Sequence, residues 1–168
     1  MNLLRTAAAL AMGCIVLTGC VPSPSTAFTV NGEVITEKQV DAAAAGCAPL
    51  FDRTPTDLRI DVVNNLLVGK LGQLINHANG LELTEGERRT FLEGSAQGQL
   101  MLSDPECAKV ADGLATYLLG LDRLGEAAFS EGVRTADIVV NPKYGDWLPE
   151  QGVIGGSGSL SELDPKRS

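Results

Sequence analysis

Histidine is all but missing from this chain of 168 residues: His77 is the only one. A Ser/His/Asp or Cys/His nucleophilic centre would have to be built on it. A histidine-rich metal site and the His-Glu-x-x-His arrangement are excluded by the same count. His77 falls in Ile75-Asn76-His77-Ala78, near the C-terminal end of the longest helical pattern, where the helix dipole favours a surface imidazole. No Cys-x-x-Cys occurs, so the thioredoxin type of redox motif is excluded. Aromatic residues are few, one Trp, two Tyr and four Phe, which leaves the 44% hydrophobic content to aliphatic helices. An excess of basic residues is missing too: 13 Lys and Arg face 21 Asp and Glu, a balance that argues against nucleic acid and anionic headgroups as partners. Carboxylates are plentiful, yet Glu85, Glu87 and Glu93 read as helix-face charges and Glu106 as part of a cap, so no pair is singled out for acid–base work. Gly152, Gly155, Gly156 and Gly158 lack the strand before and helix after that a phosphate-cradling loop needs. The expectation is a protein without catalytic residues, metal or cofactor.

What the chain does have begins at its N-terminus. Arg5 precedes an almost wholly apolar run from Ala7 to Leu17, which is too short to span a bilayer comfortably. Leu17-Thr18-Gly19-Cys20 follows, and then the Pro-rich Val21-Pro22-Ser23-Pro24-Ser25-Thr26. The pattern resembles a bacterial lipoprotein signal: residues 1–19 would be removed, Cys20 would be lipidated, and 20–26 would be a tether. The resemblance implies a diacylglycerol on Cys20, whose acyl chains suffice for stable anchoring. The alternative is an ordinary secretory signal, with a soluble exported product. Cleavage before Cys20 removes 19 of 168 residues and leaves 149, with 12 Lys and Arg against 21 Asp and Glu, a net of −9. That is one domain's worth of chain, assigned to 27–149 with 150–168 as a disordered tail.

With Cys14 in the signal and Cys20 acylated, Cys47 and Cys107 remain. In an oxidising compartment such a leftover pair forms a structural disulfide; a redox or metal-binding pair is the rival reading.

Along the domain, Ala27-Phe28-Thr29-Val30 alternates and meets Asn31-Gly32, a hairpin turn signal. Thr36 with Gln39 makes a capping box for a helix that Gly46 should stop. Thr54-Pro55-Thr56-Asp57 opens the longest helix, whose apolar positions run Leu58, Val62, Leu66, Leu67, Leu71, Leu74, Ile75, Ala78. Gly69 and Gly72 within it would let another helix approach closely. Asn79-Gly80 ends it. Thr84 with Glu87 caps a glycine-interrupted helix containing Phe91, Leu92 and Leu100. Asp104-Pro105-Glu106 starts the last helix, with a stripe of Val110, Leu114, Leu118, Leu121 and Leu124 fading by Gly132. Thr135–Val140 then reads as a strand bounded by Asn141-Pro142. Helices between two terminal strands predict a mainly α fold, an antiparallel helical domain with a small sheet formed by the N- and C-terminal strands.

The segment Phe28-Thr29-Val30-Asn31-Gly32-Glu33-Val34-Ile35-Thr36-Glu37-Lys38-Gln39-Val40-Asp41 resembles the opening of SurA-like and PrsA-like extracytoplasmic chaperones. Asp137-Ile138-Val139-Val140-Asn141-Pro142-Lys143-Tyr144-Gly145-Asp146-Trp147 resembles the terminal strand and turn of lipoproteins carrying an isolated domain of that type. Together they cover about 25 residues. The resemblance implies a chaperone-like lipoprotein that binds unfolded or extended exported polypeptides in apolar grooves between helices. No room exists for a parvulin domain, so isomerase activity is not expected. A module dedicated to one envelope protein partner is the alternative, and a small-molecule-binding lipoprotein serving a transporter is a weaker third. By themselves, Asn31-Gly32 and Asn141-Pro142 turn the chain, with Tyr144 and Trp147 packing over the sheet edge.

Overall fold

A computed structural model describes residues 23–155. The signal segment 1–19, the lipidation candidate Cys20 and residues 156–168 of the expected tail lie outside them.

Strand β1 (Thr26–Val30) turns through Asn31 and Gly32, both at positive φ (49° and 81°), into β2 (Glu33–Thr36). Two positive φ values in succession match the right-handed twist of a hairpin, which is why Asn-Gly serves here. The far end of the chain supplies β3 (Ile138–Val140), antiparallel to β1 with Phe28 opposite Val140 and Val30 opposite Ile138. The sheet order is therefore β2-β1-β3, and the two terminal regions meet as the sequence predicts. Part of the expected tether is already folded: Thr26 N–H donates to the Ser23 carbonyl at 2.8 Å and Glu37 N–H to the Ser25 carbonyl at 2.9 Å.

Helix α1 (Glu37–Cys47) starts at the expected capping box, with Thr36 N–H donating to Gln39 Oε1 at 2.8 Å and Gln39 N–H to Thr36 Oγ1 at 3.3 Å. It does not stop at Gly46. That residue keeps a helical backbone, and its bare Cα lets Asp104 in: a Cβ there would lie 2.3 Å from Asp104 Oδ1. Cys47 is accordingly the last residue of α1, followed by a 3-10 turn at Ala48–Phe51.

The centre of the core is the crossing of α2 (Pro55–Ala78) and α5 (Pro105–Leu124). Each opens on a side-chain cap with Pro at its first position. Thr54 Oγ1 accepts from Asp57 N–H at 3.2 Å, and Asp104 Oδ1 accepts from the N–H groups of Glu106 and Cys107, each at 2.9 Å. Backbones touch where the glycines predicted it: a Cβ on Gly69 would lie 2.8 Å from Gly113 Cα, and one on Gly72 2.6 Å from Tyr117 Cα. Such proximity demands small residues opposite, and the buried face of α5 carries Ala111, Ala115, Thr116 and Gly120. The predicted leucine stripe is thus rotated off the contact. Leu114, Leu121 and Leu124 flank it half-buried, and Leu118 is 45% exposed.

The glycine-interrupted helix is two helices, α3 (Glu85–Glu93) and α4 (Ala96–Met101), because Ser95 caps a new start by accepting from Gly98 N–H at 3.0 Å. At the head of α3, Glu87 accepts from Thr84 N–H and pairs with Arg123; these bonds, the Thr84 backbone first, hold its carboxyl down at about 2. Helix α5 ends at Gly125 (φ 81°), and α6 (Glu126–Thr135) passes through Gly132, whose missing side chain admits Ile75. Thr135 is therefore helical and the strand begins only at Ile138.

The tail assignment is also corrected. After the 3-10 turn Pro142–Tyr144, β4 (Asp146–Leu148) pairs antiparallel with β5 (Val153–Gly155), so the fold runs on at least to Gly155 rather than ending at 149. The physical reason is Ile154, an aliphatic side chain that joins the core at 3% exposure.

Candidate apolar cleft and the polar latch behind it

The first turn of α5 is joined covalently to the end of α1 by the Cys47–Cys107 disulfide, with the two Cα atoms 4.8 Å apart. Both cysteines are buried. By fixing where α1 ends, the bond shapes one wall of a cleft of about 400 Å³ between the 3-10 turn, α2, α4 and α5. Phe51, Leu58, Val62, Met101, Val110 and Leu114 line it together with Cys47. The Met101 thioether makes that wall polarisable and conformationally adaptable. Polar groups stand among them: Arg53, Asp61, Asn65 and Gln97. Arg53 pairs with Asp61 at 2.6 Å and also donates to the Asp57 carbonyl, so its charge is already spoken for. A space of this size and apolarity suits roughly two or three apolar side chains or one small organic ligand.

Apart from Cys47, expected as half of a disulfide, none of these lining residues was singled out as a site from sequence, and only the helical period of Leu58, Val62, Val110 and Leu114 hinted at them. The cleft exists because α4 breaks from α3 at Ser95 and sets Met101 opposite α2, a local capping event.

On another part of α1 the two segments that carry the family resemblance come together. Asn31 N–H donates to the Asp137 carbonyl at 2.7 Å, and Asp137 N–H donates to Asn31 Oδ1 at 2.8 Å. Asn141 N–H donates to the Ala27 carbonyl and its Nδ2 to the Thr26 carbonyl, both at 2.9 Å. Three donors then converge on Glu37 Oε2: Arg59 Nη2 at 2.5 Å, Lys143 Nζ at 2.6 Å and the Tyr144 hydroxyl at 2.8 Å. Arg59 also pairs with Asp41 and donates to Tyr144 Oη at 2.9 Å. Burial alone would raise the Glu37 carboxyl, but the bonds from Lys143, Tyr144 and Arg59 outweigh it and hold the group below its ordinary value. Burial, and then the bond to Glu37, push the Tyr144 hydroxyl up to about 12, so it stays a donor. This cluster latches the terminal strands to α1 and α2. Trp147 lies half-buried against the core, and Tyr144 is buried.

His77 is exposed on the last turn of α2. Among the described residues there is no group of three or more His, Cys, Asp or Glu side chains placed to hold a metal, and no helix long and apolar enough to cross a membrane. Compared with known proteins, the chain matches no family model, no curated protein and no solved structure.

Proposed function

We propose that this protein is a membrane-anchored, extracytoplasmic chaperone-like lipoprotein, of the SurA N-terminal type and without isomerase activity, that holds unfolded or extended segments of exported polypeptides. The observation that carries this reading is the apolar cleft beside the Cys47–Cys107 disulfide. Aliphatic walls give contact without direction, which favours breadth of client over affinity for one. Lipid on Cys20 would hold the domain close to the membrane, since only Val21 and Pro22 separate that cysteine from the folded turn at Ser23. A module for one dedicated envelope partner is the second reading, favoured by the fixed polar groups Arg53, Asp61, Asn65 and Gln97 around the cleft.

The test is aggregation suppression by the unlipidated chain from residue 21 onward, against several unrelated unfolded clients with an inert protein as control. Suppression across clients at near-equal molar ratio is the expected result, lost in Leu114→Asp at unchanged helical circular dichroism. No suppression of any client overturns the general chaperone and leaves the dedicated partner, which would co-purify at fixed stoichiometry.

A further inference from the structure

Strand β5 is held by contacts that read its main chain as well as by a buried side chain. The Asn64 amide on α2 faces the Ile154 peptide groups in both directions: Oδ1 accepts from Ile154 N–H at 2.7 Å and Nδ2 donates to the Ile154 carbonyl at 3.3 Å. An asparagine amide carries an acceptor and donors side by side, so Asn64 does for Ile154 what a neighbouring strand would do. Strand β4 supplies ladder pairing, with Trp147 opposite Ile154 and Leu148 opposite Val153. The Ile154 side chain reaches the core. Gly155 follows it, and a Cβ there would lie 2.7 Å from Leu148 Cδ1, the free end of a flexible side chain that can swing aside, so the seat sets no strict size limit after Ile154.

Main-chain pairing for affinity and one side-chain pocket for selectivity are the two parts of recognition by strand addition. A two-stranded hairpin is marginal on its own. The occupant of this seat therefore depends on Asn64 and on the slot beneath Ile154. We propose that Asn64, β4 and that slot form a binding site for an extended polypeptide segment bearing an aliphatic residue, and that β5 is its resident occupant, which such a segment displaces. The site is separate from the apolar cleft, and the inference does not depend on what the cleft binds. Because the resident strand is tethered, it competes at an effective concentration in the millimolar range. The wild-type chain consequently binds a free segment weakly, and a chain whose own strand has left binds it well.

The experiment compares the wild-type chain with Ile154→Asp, which places a carboxylate where the anchor sits and expels β5. The probe is a fluorescent peptide, Gln-Gly-Val-Ile-Gly-Gly, copying residues 151–156, followed by anisotropy. Ile154→Asp is expected to bind it about tenfold or more tightly than wild type, and Asn64→Leu added to Ile154→Asp to lose that gain. A probe methylated on its isoleucine nitrogen is expected to bind no better than background, while one with valine for isoleucine binds. A helical Ile154→Asp chain that binds no probe, or binds the methylated probe equally, overturns the proposal. Hydrogen exchange of the wild-type chain decides the matter even if that variant does not fold. The Ile154 amide is expected to exchange by local opening, well ahead of the amides of β1. Exchange as slow as β1 means that β5 leaves only on global unfolding, and the inference fails.

Discussion

Where α2 crosses α5, most contacts have little direction, aliphatic side chains and glycine backbones against backbone at Gly69 and Gly72, with one buried hydrogen bond from Asn76 Nδ2 to the Thr116 carbonyl at 3.0 Å and a disulfide beside them. Where the terminal strands meet α1, the contacts are directional, with Asn31, Asn141, Glu37, Arg59, Lys143 and Tyr144 each placing a donor or acceptor on a named atom. The first region is expected to tolerate changes of pH and to be sensitive to changes of volume. The second is expected to tolerate changes of volume at its rim and to respond to pH, because its central member is a carboxylate.

The largest break in this contrast is expected from removing the covalent link. Cys47→Ala with Cys107→Ala opens a closed loop of 60 residues and is expected to lower stability by about 4 kcal/mol in the chain-entropy view. Urea unfolding at several pH values measures it, and the loss should be the same at each. A loss below about 1 kcal/mol would show that packing alone fixes α1 on α5.

Gly72→Ala comes next. Its methyl meets the Tyr117 backbone at 2.6 Å, which no rotamer change relieves, so overpacking of about 2 kcal/mol is expected. A neutral result in thermal unfolding would mean that the two helices slide apart freely, and the tight crossing would lose its claim to organise the core.

Helix starts and the long apolar period were legible in the sequence because they depend on residues within one or two turns of each other: Thr36 with Gln39, Thr84 with Glu87, Thr54 with Pro55, Asp104 with Pro105. The disulfide was legible too, through arithmetic on four cysteines. The cleft was not, since the cap at Ser95 is local but the cleft forms only where Met101 of α4 meets Leu58 and Val62 of α2 and Val110 and Leu114 of α5, segments whose meeting no local pattern shows. Gly46 was misjudged for a related reason, because a glycine reads as a stop when its partner, Asp104, lies 58 positions away. Strand β5 was hidden among glycines, and its support comes from Asn64, an unremarked polar residue on a helix. Motif residues such as Asn31, Asn141 and Tyr144 were legible as turn and packing residues, and their hydrogen bonds account for them in that role.

The polar region is sharpened by Glu37→Gln. The Glu37 carboxyl titrates below its ordinary value of 4.5 in the folded protein, so the folded state prefers the charged form. Its stabilisation is complete above that ordinary value and is lost as pH falls through the lower, folded one. Glutamine keeps the shape but leaves Arg59 and Lys143 without their shared anion, at an expected cost of about 2 kcal/mol at neutral pH. The variant and wild-type stability curves should therefore converge as the pH drops below 4.5. They should both still fall, because Glu87 keeps its charge down to about 2. Parallel curves in acid denaturation would place the pH response elsewhere.

The smallest effect separates the latch from the sheet it closes. Asn141 Nδ2 donates to the Thr26 carbonyl, while Asn141 Oδ1 accepts from Lys143 N–H at 3.2 Å, so one side chain fixes both the end of β3 and the turn that aims Lys143 and Tyr144 at Glu37. Asn141→Ala removes these two bonds at a partly exposed position, where water replaces part of what is lost, and about 1 kcal/mol is expected. Its coupling to Glu37→Gln is the informative quantity. If Asn141 acts by aiming the turn, the double variant loses less than the two single losses together, since residues in one network do not add. Strict additivity in a double-mutant cycle would mean that the turn holds its shape without Asn141, and that Glu37, Lys143 and Tyr144 find each other through the sheet alone.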